Sequence, residues 1–141
     1  MTKVVKAFQS TGDGRQAQTS ISAPDAGIGY AGQPAAAVTQ ITNRSTGVTI
    51  NALCGVITGD NTSLAAEATA TFVVTNSKVD IGDVVVIAVR SGPTSGATSF
   101  RVTAVAAGSF SISATNNNVA AGTADTGAPV INFAVIKTGQ A

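Results

Sequence analysis

Carboxylates are almost the only reactive groups in this chain of 141 residues. There is no histidine, which removes the usual general base, the Ser-His-Asp and Cys-His arrangements, and the commonest zinc ligand together. The single cysteine, Cys54, excludes an internal disulfide and, without histidine, any nitrogen–sulfur metal cluster. It lies in the apolar stretch from Leu53 to Ile57 and reads as a buried free thiol packing as a small hydrophobe. Seven carboxylates remain: Asp13, Asp25, Asp60, Glu67, Asp80, Asp83 and Asp125. The closest pair is Asp80 and Asp83, in Lys78-Val79-Asp80-Ile81-Gly82-Asp83. Two carboxylates held about 5 to 10 Å apart can hydrolyse a glycosidic bond. A sugar site also needs stacking rings, however, and the chain has no Trp and one Tyr. The pair therefore reads as a solvated turn in which one carboxylate bonds local backbone amides; the loop spacing of a calcium hand is absent. Thr11-Gly12-Asp13-Gly14-Arg15 resembles a phosphate loop only in its glycines, since the Gly-Lys-Ser/Thr ending is missing. The expectation is a protein that is no enzyme, with no catalytic residue, no cofactor and no metal site.

Charge narrows the partners. Eight Lys plus Arg against seven Asp plus Glu leave a net charge of +1, without the basic patch that nucleic acid calls for or the basic amphipathic stretch that a membrane surface calls for. The longest apolar run, Val84 to Val89, is strand-length, far below the roughly 20 residues of a spanning helix. Lys3 and Lys6 are followed by no apolar segment, so no secretory signal is expected. With one cysteine, the chain reads as made and used in a reducing cell.

The elements that must position any surface follow from periodicity. Residues 1–36 carry Gly12, Gly14, Pro24, Gly27, Gly29, Gly32 and Pro34, and neither a helical nor a strand period survives there. Apolar residues are scattered through them: Val4, Val5, Phe8, Ile21, Ile28 and Tyr30. A plain linker needs no such anchors, so this segment is expected to be an extended arm whose anchors bind a partner, with a disordered tail as the alternative. From residue 37 to 141 short alternations are separated by turn residues: Val38–Ile41, Val48–Ile50, Cys54–Ile57, Ala68–Thr75, Val84–Val89, Phe100–Val105, Phe110–Ser113 and Val130–Ile136. Ala106-Ala107-Gly108-Ser109 joins two of them as a hairpin, and the unbroken aliphatic run Val84–Val89 predicts a strand covered on both faces. Phe72, Phe100, Phe110 and Phe133 fall on inward positions. Together these predict an all-β fold: an antiparallel, jelly-roll-like β-sandwich over residues 37–141, with an extended N-terminal arm over 1–36. A closed barrel is the structural alternative.

Several of these segments, in this order, resemble small structural proteins of tailed bacteriophages. The resemblance is carried by Ala37-Val38-Thr39-Gln40, Ser45 to Asn51, Leu53 to Thr58, Ala68 to Asn76, Asp83 to Val89, the hairpin Val102 to Ser113, and Val130 to Lys137. It implies a capsid decoration or cement protein: a β-sandwich displayed on the capsid exterior of a virion, made in the host bacterial cytoplasm. Its partners would be the major capsid protein and further copies of itself, as a homodimer or homotrimer. A tail or head-fibre component with adhesive function is the alternative. A carbohydrate-binding module comes third, because it needs exposed rings.

Overall fold

The computed structural model describes residues 19–21, 28–30, 36–94 and 96–138. The chain separates into two units, Met1–Gln33 and Pro34–Ala141. In the first, β1 (Thr19–Ile21) and β2 (Ile28–Tyr30) pair antiparallel, with Thr19 opposite Tyr30 and Ile21 opposite Ile28. Local pattern does not foretell these strands, because three residues hold too little alternation to rise above their glycine-rich surroundings.

The second unit contains β3 (Ala36–Thr39), β4 (Val48–Thr49), β5 (Cys54–Thr58), β6 (Thr69–Thr75), β7 (Val84–Ser91), β8 (Thr98–Ala106), β9 (Ser109–Asn116) and β10 (Val130–Ile136). They fall on the eight alternating segments, and no helix occurs among the described residues. Two open four-stranded sheets result, in the orders β3-β5-β10-β7 and β4-β6-β9-β8.

The sheets are mixed, which corrects the expectation of an antiparallel sandwich. β3 runs parallel to β5, and β4 parallel to β6. β10 is antiparallel to both β5 and β7, and β9 to both β6 and β8. From β3 to β8 the chain therefore alternates between the sheets as a coil, with every strand of one sheet pointing the same way. β9 and β10 then return and insert between strands already laid down. Parallel neighbours need a crossover of a dozen or more residues; from β3 to β5 that crossover is residues 40–53, and it carries β4. A jelly roll, by contrast, is wired with antiparallel neighbours throughout.

Alternation decides which side chains are enclosed. Ile57, Ile131, Phe133 and Val135 from the first sheet meet Val48, Phe72, Val74, Phe110 and Ile112 from the second in one core. Phe110 and Phe133 touch across the interface, with ring centroids 5.6 Å apart and planes tilted by 47°. Phe100 is half-buried and packs against this core. β8 skips a residue against β9 between Val102 and Ala104, and this bulge keeps Phe100, Val102 and Val105 on one side although their spacing is two and then three. Gly55 faces inward opposite Phe133, where a Cβ would come within 2.6 Å of the Ala36 carbonyl oxygen. Gly92, at φ +108°, passes so close to Ala128 that a Cβ would lie 1.7 Å from its carbonyl oxygen.

Candidate interaction surface

The outer faces of the two sheets differ in kind. On the second sheet Thr69, Thr71, Ser113 and Thr115 stand across neighbouring strands. Their hydroxyls pair, Thr69 Oγ1 with Thr115 Oγ1 at 2.9 Å and Thr71 Oγ1 with Ser113 Oγ at 2.7 Å. Such cross-strand pairs contribute about 0.2–1 kcal/mol each and leave a mainly polar surface, on which Val73 of β6 is the exposed aliphatic residue. The first sheet turns aliphatic groups outward instead. Val84, Val86 and Ala88 of β7 stand beside Ile136, Ala134 and Asn132 of β10, and these beside Cys54 and Val56 of β5. Val84, Val86 and Ile136 are each about half exposed. The run Val84–Val89 is thus covered on one face rather than two: Val85 and Ile87 pack on the core while their neighbours face outward. Cys54 is likewise half-buried on the outer side of β5 instead of in the core, because the inward positions of that strand are Gly55 and Ile57.

Asp80 and Asp83 do come together, around a cation that local sequence does not reveal. Lys137 Nζ lies 2.5 Å from Asp83 Oδ2 and 3.0 Å from Asp80 Oδ2, and donates to the Lys78 carbonyl at 3.1 Å. Asp83 Oδ2 also accepts the Asp80 amide at 2.7 Å. Burial pushes the Asp83 carboxyl up, but the Lys137 ammonium and the amides of Asp80 and Thr138 outweigh it and hold it below the usual carboxylate value. The same contact with Asp83 raises Lys137 above the usual lysine value. This cluster fastens the β6–β7 turn to the end of β10. Val79, in the middle of that turn, is in the core.

A second ionic group joins residues 81 positions apart. Arg44, only 6% exposed, donates through Nη2 to the carbonyls of Asp125 (3.0 Å) and Gly127 (2.9 Å) and through Nε to that of Thr62. It also lies 3.5 Å from Asp125 Oδ1. Asp125, wholly buried, accepts the amides of Thr94 (3.1 Å) and Gly127 (3.0 Å) and the hydroxyl of Thr98. Burial raises its carboxyl; the Thr98 hydroxyl, the two amides and Arg44 outweigh that and bring it below its ordinary value. Four loops are tied here at one end of the sandwich. Nearby, Gln40 is buried, its amide donating to the Thr46 carbonyl at 2.7 Å and its oxygen accepting the Asp60 amide at 3.0 Å. Arg44, Asp125 and Lys137 carry no local signal of these roles, since each pairing is made by the fold.

Every buried side-chain nitrogen and oxygen among the described residues has a hydrogen-bond partner. No group of three or more His, Cys, Asp or Glu among them is placed to hold a metal. Both ionic groups are thus consumed within the fold, and among the described residues the outer face of the first sheet is where exposed aliphatic side chains stand side by side on neighbouring strands. Of the expected arm anchors, Ile21 and Ile28 sit opposite one another in the β1–β2 pair and Tyr30 is half-buried. Val4, Val5 and Phe8 lie outside the described residues. No known protein family, curated protein or solved structure matches the chain.

Proposed function

We propose that this protein is a non-enzymatic structural component of a phage virion, a cement or decoration protein that bridges and stabilises major capsid subunits. The observation that carries the reading is the two-sidedness of the sandwich: one outer face is lined mainly by paired hydroxyls, with the single exposed valine Val73, and the other sets Val84 and Val86 beside Ile136, each about half exposed. Contiguous apolar surface of this kind marks protein contacts on soluble chains. A shell-bound protein needs a stiff body with one adhesive face, and many copies on a symmetric lattice turn weak contacts into avidity. In this reading residues 1–36 are the extended arm, and Val4, Val5, Phe8, Ile21, Ile28 and Tyr30 anchor it on neighbouring subunits by strand addition and apolar pegs. The protein acts on the capsid exterior after synthesis in the bacterial cytoplasm.

The test is limited proteolysis with mass spectrometry on the free protein and on the protein mixed with undecorated capsids. Co-sedimentation with the shells, with residues 1–36 cleaved in the free protein and protected on the capsid, is the expected result. Absence of both co-sedimentation and protection would overturn the cement reading in favour of a tail or head-fibre component.

A further inference from the structure

Three of the four edges of the sandwich are blunted. β3 has four residues and β4 two, and β8 carries a bulge and the exposed Arg101. Short strands, bulges and charges are the usual means by which a sheet edge avoids pairing with another chain. β7 has none of them over Val84–Val89: it is eight residues long, uncharged until Arg90, and bulged only at its end, where Ser91 stands opposite Val130 and Val89 opposite Ile131. Its outer edge has no hydrogen-bonded neighbour among the described residues. The core is also open along it. Ile131 is 0% exposed, yet Val89, its partner in the ladder and on the same inward side, is 45% exposed. A missing neighbour strand, rather than a missing covering layer, explains an inward residue left that exposed.

We propose that β7 pairs antiparallel with β7 of a second copy, joining two four-stranded sheets into one of eight. The charges at the two ends of the strand select this occupant and this direction. At the start of β7, Asp80, Asp83 and Lys137 are in mutual contact and sum to one negative charge, while the exposed Lys78 gives this group its carbonyl and holds its ammonium outside it. At the far end Arg90 is exposed and has no ion-pair partner among the described residues. Antiparallel pairing about a two-fold axis near Ile87 brings each Arg90 to the acidic end of the other strand. Parallel pairing would set Arg90 against Arg90. The two-fold contact is self-complementary and closed, so it uses up the long edge that is neither bulged nor charged over Val84–Val89 and does not propagate into a filament. It encloses Val85, Ile87 and Val89 of both copies and places the two aliphatic outer faces on the same side of the joined sheet.

This association is a property of the protein without any capsid, so its failure and the failure of the cement reading are separate results. The measurement is sedimentation equilibrium of the full chain from about 1 to 100 µM, the range of a micromolar dissociation constant. A two-copy mass is expected. Arg90→Glu should weaken association at least tenfold, and Arg90→Glu combined with Asp80→Lys should restore it, because the charges are then exchanged. Hydrogen exchange at the β7 amides should slow as concentration rises. Three results would each overturn the proposal: a monomer throughout the range, association unchanged by Arg90→Glu, or a loss that the double variant does not recover. Far-UV circular dichroism and thermal melts of each variant check the fold, since Arg90 makes no ion pair among the described residues whereas Asp80 pairs with Lys137, and Asp80→Lys alone serves as the control for that lost pair.

Discussion

Replacing Asp125 by alanine removes the centre of the loop junction and leaves its partners in place. Asp125 is 0% exposed and Arg44 6%, so water cannot replace the carboxylate without opening the loops. Two groups lose an acceptor in a half-buried setting, the Gly127 amide and the Thr98 hydroxyl, at about 1 kcal/mol or more each. The Thr94 amide is on an exposed residue and recovers a water. Arg44 becomes a buried cation without its counter-charge, a change that by itself destabilises proteins by about 3–5 kcal/mol. Its three backbone carbonyl acceptors survive, which places this part at the low end of that range. The sum is about 5 kcal/mol, a large share of the roughly 5–15 kcal/mol that holds a domain folded, and a drop in Tm of roughly 15–25 °C. Urea unfolding followed by far-UV circular dichroism measures it. Arg44→Met with Asp125→Leu should recover the buried-charge part of the loss, since no charge is then left buried, while the hydrogen bonds of the junction stay lost. A loss below about 1 kcal/mol in Asp125→Ala, or a double variant as damaged as the sum of the singles, would refute the reasoning.

Core position should rank the phenylalanines. Phe110→Ala, at a side chain 1% exposed and in contact with Phe133, should cost about 3–5 kcal/mol in urea unfolding; Phe100→Ala, half-buried at the margin of the core, should cost clearly less. Equal losses would contradict the packing described. Stability should also fall at both extremes of pH in thermal melts. Asp83 and Asp125 are held below their ordinary values, so their contribution is complete above the unfolded value of about 3.9 and is lost as pH drops through the lower folded values. Lys137 is raised, so its contribution is complete below about 10.4 and is lost as pH climbs through the higher folded value. Asp125→Asn should flatten part of the acid limb and leave the alkaline limb unchanged.

Strand positions in the Pro34–Ala141 unit and the enclosed phenylalanines were legible in the sequence, because a period of two records locally which side of a strand meets water. Phe72 and Val74, or Phe110 and Ile112, need no knowledge of their neighbours to be placed inward. The order of the strands was not legible. Whether β5 lies beside β3 or β10 depends on pairings between residues tens of positions apart, and the aliphatic strands β5, β7 and β10 look alike when read singly. For the same reason the run Val84–Val89 reads as a doubly covered strand, whereas its place at the edge of an open sheet leaves one side bare. Arg44 and Asp125 each read as an ordinary polar residue in a loop. Only the folding of four loops onto one end of the sandwich removes both from water, and the Coulomb and hydrogen-bond terms that make them matter exist only once water has gone.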